Sequence, residues 1–118
     1  MTKPQLSPIQ RAQKHFQGRI AGTLKKYHVQ EWDLDVYFRE ITSLRLESQV
    51  VELAQQGKNV EALVVTIINK ALDENGNPLF TMGDKSTLLN EADPSVVLSL
   101  ARILNGGDLP TVEDIEKN

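Results

Sequence analysis

Residues able to do chemistry are few in this chain, and their spacing argues against each familiar reaction. The two histidines, His15 and His28, fall on separate N-terminal stretches with no acid near them in sequence. With no cysteine in the chain, they have no partners to complete a zinc site. Ser43, Ser48, Ser86, Ser95 and Ser99 lack the strand–turn–helix setting that exposes a nucleophilic serine. Gly106-Gly107 follows no strand and precedes no Lys-Ser/Thr pair, so it does not cradle phosphate. Asp73, Asn75 and Asn77 alternate like the first ligands of a calcium loop. The register breaks at Pro78, no Gly stands at the sixth position, and the twelfth position holds only Asp84; a turn is the expected outcome. Asp33 and Asp35 could form an acid–base pair, but their alternation fits the solvated face of a strand better. The expectation is a non-enzymatic protein with no catalytic, cofactor or metal residues.

The 118 residues allow one domain with a modest core. At 40% apolar and 25% charged residues, the chain reads as soluble and globular. No apolar run approaches the ~20 residues needed to cross a bilayer, and MTKPQLSPIQ lacks the apolar region of a signal peptide. A cytosolic protein is expected. The net charge of −3 hides an asymmetry. Through residue 30 the charges are Lys3, Arg11, Lys14, Arg19, Lys25 and Lys26, a total of +6, and the rest of the chain carries −9. The basic segment can serve an acidic partner or lie against the protein's own acidic body.

These residues are carried by elements that the pattern places in order. Ser7, Pro8 and Gln10 make a helix start with a capping box. Ile9, Ala12, Phe16, Ile20 and Leu24 then follow helical spacing, which predicts a helix over 8–24. Gly18 and Gly22 each weaken it by up to ~1 kcal/mol, so a shorter helix is possible. Between 27 and 40 the period changes to two. Tyr27 and Val29, then Leu34, Val36 and Phe38, flank the polar turn Gln30–Asp33 and predict a β-hairpin. The only Trp, Trp32, either plugs this hairpin onto the core or anchors an interface.

Thr42 or Ser43 can cap a helix over 44–56, with Leu46, Val50, Val51, Leu53 and Ala54 apolar. Gln56-Gly57-Lys58-Asn59 closes it, and Asn59 can cap the next. The central helix has Val60, Leu63, Val64, Ile67, Ile68, Ala71 and Leu72 on one face, widened by Ala62 and Val65. An apolar stripe this wide must be buried on several sides. Asp73–Pro78 stops it, Leu79-Phe80 returns to the core, and Thr81 with Asp84 caps a short helix over 82–90. Asp93-Pro94 opens the last helix, whose stripe is Val96, Val97, Leu100, Ile103 and Leu104; Asn105-Gly106-Gly107 ends it. The fold class is therefore mainly α with a small N-terminal β-hairpin, a compact bundle of four to five helices. Residues 1–26 form a basic segment, 27–107 a single domain, and 108–118 an acidic mobile tail.

The order of these motifs resembles the tail assembly chaperones of long-tailed bacteriophages, including prophage-encoded copies. The resemblance covers about residues 29 to 107 and rests on two segments. Val36-Tyr37-Phe38-Arg39-Glu40-Ile41-Thr42 looks like the family's arginine–glutamate–leucine–threonine lead into the first helix, with Ile41 in the leucine place. Asp73-Glu74-Asn75-Gly76-Asn77-Pro78-Leu79-Phe80-Thr81 looks like its turn before the short helix. The chain departs at Ser43-Leu44-Arg45-Leu46, where the family often has an acid-rich start, and in its long basic N-terminus.

The resemblance implies a cytoplasmic protein of the bacterial host that binds the tape measure protein and keeps it soluble while the tail tube forms around it. It further implies a contact with tail tube protein through a longer, frameshifted form. Self-association is expected, and a membrane or cofactor role is not. Amphipathicity marks Phe16 and Ile20 on the first helix and Trp32, Tyr37 and Phe38 on the hairpin as candidate partner contacts. The competing class is a small nucleic-acid-binding or regulatory module using the basic N-terminal helix. The overall negative charge and the absence of a helix-turn-helix pattern speak against nucleic acid.

Overall fold

The computed structural model describes residues 5–22 and 24–106. Gly107 and the acidic tail 108–118 lie outside them, as does Lys3. Helix α1, Pro8–Ile20, starts as its sequence requires: the Ser7 hydroxyl accepts from the Gln10 amide and the Gln10 side chain returns the bond. It ends at Ile20 rather than Leu24, with Ala21 as its cap and a bend at Ala21-Gly22, where glycine lowers the benefit of continuing. Lys25 consequently opens strand β1, Lys25–Val29, which pairs antiparallel with β2, Leu34–Phe38. The register sets Tyr27 opposite Val36 and His28 opposite Asp35. A single 3-10 turn, Gln30–Trp32, joins the strands, and Asp33 closes it at φ 48°. That left-handed position is one Asp tolerates better than a branched residue.

Four helices follow. Helix α2 is Leu44–Gln55, with Ser43 as its cap. Helix α3 is Asn59–Lys70, α4 is Lys85–Asn90 and α5 is Pro94–Leu104. Asn59 is the first residue of α3, and Lys58 stands at the cap without a side-chain bond. Gly57 reverses the chain at φ +79°, so the α2–α3 turn is made by glycine rather than by a capping asparagine. The Thr81–Asp84 capping box forms as expected around a 3-10 turn, Met82–Asp84, that leads into α4. Asp93 caps α5 through the Ser95 amide.

Helix α3 is the axis of the core, packing on α2, α4 and α5. Ile67 and Thr66 are fully buried and Val64 nearly so; the Thr66 hydroxyl turns back to the Ala62 carbonyl, 2.9 Å away. All five predicted stripe residues of α5 are buried. Val60, in the first turn of α3, is 64% exposed although it lies on the apolar stripe. Helix α2 buries no residue completely: Leu46, Val50 and Leu53 are half-buried while Val51 and Ala54 face outward.

Residues after α3 do not extend the helix. Ala71 takes an extended conformation, and Leu72 exchanges both backbone hydrogen bonds with Tyr37, each 2.8 Å. Leu72 also bridges to Pro78. The segment 71–79 folds back on itself through Asp73 N–H to Asn77 O and Leu79 N–H to Ala71 O. The hairpin is thus stitched to the end of α3 by one residue. Asp73 spends its carboxylate on the Asn75 and Asn77 amides, at 2.8 and 2.9 Å, which makes the calcium-like spacing an Asx turn.

Candidate functional site

A mostly apolar groove of about 250 Å³ opens where α1, the 39–46 segment and the end of α3 meet. Phe16 and Ile20 form one wall; Ile41, Leu46 and Leu72 form the other. Arg39 and Lys70 line it too, and no acidic residue does. Arg39 donates to the Ile20 carbonyl at 3.0 Å, tying the last turn of α1 to the body. The Arg39 guanidinium also lies over Gly76, where an added Cβ would approach it to 3.2 Å. Gly76 itself sits at φ +83°, so both backbone and space call for glycine there.

Lys70 is the buried cation of the site. Its side chain is 8% exposed and its ammonium reaches the Glu47 carboxylate at 2.9 Å and Asn105 Oδ1 at 3.0 Å. One side chain therefore joins α2, α3 and α5. Burial works to raise the Glu47 carboxyl, but hydrogen bonds from Thr42 and Lys70, with the Lys70 charge, outweigh it and hold the group below its ordinary 4.5.

Of the five residues marked on the sequence, the groove brings together Phe16 and Ile20. Trp32 packs on the core and meets Phe80 edge-on, with ring centroids 6.4 Å apart. Tyr37 is half-buried, and the Lys26 ammonium lies 5.9 Å from its ring centroid. Phe38 is 4% exposed and packs in the core. Ile41, Leu46, Leu72 and Arg39 were not marked. They come from three separate stretches: Leu46 and Leu72 carried a helical-stripe signal and Arg39 and Ile41 stood in the 36–42 motif, but nothing local joined the three.

A second cluster arises from the hairpin register. His28 Nδ1 lies 2.7 Å from Asp35 Oδ1, Nε2 lies 3.9 Å from Asp33, and Lys26 lies 3.6 Å from Asp35. The hairpin thus folds two acids, five and seven residues further along the chain, back onto His28. The hydrogen bond to His28 is the chief cause holding the Asp35 carboxyl below its ordinary 3.8; Lys26 adds to it and desolvation opposes it. Because the folded value is lowered, the stabilisation is complete above 3.8 and is lost as pH falls through the lower folded value. His28→Ala is expected to move the Asp35 titration upward, toward 3.8. A carbon-detected carboxylate titration that shows no movement would remove His28 as the cause.

The basic segment is partly spent within the molecule. Arg19 and Lys25 share Glu40, at 3.6 and 3.2 Å, and Lys26 uses Asp35. Among the described residues no helix is long and apolar enough to cross a membrane, and no cluster of three metal-ligating side chains occurs.

Neither protein-family models nor curated proteins give a match to this chain. Among solved structures, the tail assembly chaperone of bacteriophage HK97 shares the fold: the match covers 80% of this chain and 95% of that one, with a TM-score of 0.57 and 19% sequence identity.

Proposed function

We propose that this chain is a non-enzymatic tail assembly chaperone that binds and solubilises a phage tape measure protein in the host cytoplasm during tail tube assembly. The observation that carries this reading is the coincidence of the shared fold, spanning nearly the whole of the HK97 protein, with an open apolar groove edged by cations. A tape measure protein is a very long amphipathic helix whose apolar stripe aggregates when uncovered. A groove between α1 and the body accepts such a stripe, and many copies along one chain supply avidity without strong single contacts. Tail tube protein is engaged through a longer, frameshifted form of the chain, and copies of the chaperone associate with one another. The nucleic-acid alternative is weakened by the intramolecular pairing of Arg19, Lys25 and Lys26.

Co-expression with the tape measure protein of the same genome tests the proposal. The large protein is expected to become soluble and to co-elute on gel filtration. If it stays insoluble and the small protein elutes alone, the assignment falls. Phe16→Ala removes a half-exposed groove wall, so it is expected to weaken the complex about tenfold while leaving the fold intact. Trp32→Ala, by contrast, removes a ring packed on the core and should act first on stability. Unchanged binding with Phe16→Ala would move the contact surface elsewhere.

A further inference from the structure

We infer that Asn75-Gly76 is a site of spontaneous backbone modification in the folded protein, and that Lys70 guards the chain's other Asn-Gly pair, Asn105-Gly106, against the same reaction. In such a pair the glycine amide nitrogen attacks the asparagine Cγ, because glycine has no side chain to hinder the approach. The N–Cγ bond forms, the Cγ–Nδ2 bond breaks, and ammonia leaves with the amide proton. Water then opens the five-membered succinimide at either carbonyl, giving aspartate or isoaspartate. The net change is amide plus water to carboxylate plus ammonium.

The two pairs are alike in backbone and differ in one contact. Gly76 and Gly106 both take positive φ, +83° and +95°. Each N–H donates to the carbonyl three residues back, Gly76 to Asp73 at 3.0 Å and Gly106 to Ile103 at 3.1 Å. Each attack therefore begins by breaking one comparable bond. Both asparagines are exposed, so water reaches both. Their side chains separate them. Asn105 Oδ1 accepts from the Lys70 ammonium at 3.0 Å, on a side chain that is itself buried. Turning Cγ toward Gly106 forfeits this bond to a buried charge. Among the described residues the Asn75 side chain makes no hydrogen bond; only its backbone amide does, to Asp73. Its Cγ can swing onto the Gly76 nitrogen without that loss. Asn77 does not compete, because Pro78 has no N–H to give up.

The product changes the groove. Gly76 lines it, with the Arg39 guanidinium over it. A new carboxylate one residue away is a competing acceptor for Arg39, which holds the Ile20 carbonyl. The reaction needs no partner and stands apart from the proposed chaperone role.

The full chain is aged in mildly alkaline buffer and digested with trypsin. Cuts after Lys70, Lys85, Arg102 and Lys117 put the two pairs on separate peptides, and mass spectrometry counts the amide-to-acid conversion on each. Asn75 is expected to convert about tenfold faster than Asn105, or more, the factor set by losing a hydrogen bond to a charged group. In urea, where Lys70 holds nothing, the two rates should converge. Lys70→Met in the folded protein should raise the Asn105 rate toward that of Asn75 and leave Asn75 as it was. Equal rates in the native chain, or a faster Asn105, overturn the proposal. A gap that survives in urea also overturns it, because flanking sequence rather than Lys70 would then set the difference. An equal rise at both sites in Lys70→Met reports general loosening and removes Lys70 as the guard.

Discussion

Ile67→Ala is expected to lower the unfolding free energy by about 2–5 kcal/mol, the range for truncating a buried aliphatic side chain. Ile67 is 0% exposed at the centre of the one helix that touches three others. Its environment cannot collapse into the gap without moving α2, α4 or α5. For a domain whose whole stability is about 5–15 kcal/mol, that is a large share. Val51→Ala provides the control: the side chain is 52% exposed, and a change within about 0.5 kcal/mol is expected. Urea unfolding followed by Trp32 fluorescence separates the two. Equal midpoints for the two variants would mean that α3 is not the axis of the core.

Lys70→Ala is the second large effect. It removes the ammonium that joins Glu47 to Asn105 and leaves a carboxylate facing a vacated, mostly apolar space. Breaking a buried ion pair from one side costs about 3–5 kcal/mol. Glu47 is 41% exposed on its side chain and regains water, so about 1–3 kcal/mol is expected here. Lys70→Met keeps the hydrocarbon stem and should fall between wild type and alanine. Pairing Lys70→Met with Glu47→Gln should recover part of the loss, which a double-mutant cycle measures. The acid limb gives an independent check. Glu47 is held below 4.5 when folded, so its contribution is complete above that value and disappears as pH falls through the folded one. Lys70→Met should flatten this part of the stability profile. An unchanged acid limb together with an alanine cost near zero would reduce Lys70 to a surface residue.

Much of the architecture could be read from the sequence because its signals are local. Ser7, Ser43, Asp93 and the Thr81–Asp84 pair all act within a few residues, and the α5 stripe needs only its own periodicity. The shared fold with the HK97 protein likewise agrees with a resemblance resting on the order of two short motifs. What escaped was non-local. Leu72 looked like one more turn of α3, yet its backbone is claimed by Tyr37, 35 positions earlier in the chain. The His28–Asp35 contact required a register, fixed by the Gln30–Trp32 turn and Asp33, before either residue had a neighbour. The burial of Phe38 is equally non-local, because an alternating strand does not declare which of its faces meets the helices. The groove drew on positions 16, 20, 41, 46 and 72, and no window of sequence holds them together.

The manner in which α1 is fastened has a mechanical consequence. Its polar ties to the described elements that follow it lie at its last two residues, through Arg19 to Glu40 and the Ile20 carbonyl to Arg39. No residue along its 13 positions is fully buried. The helix is a cantilever about 20 Å long, clamped at one end. A rotation of about 15° at the clamp swings the free end by about 5 Å, half a helix diameter, without disturbing the α3 core. The jaw width of the groove is therefore set at that one clamp, and under the proposed chaperone function it would let a single groove grip successive, unequal stretches of a long helical cargo.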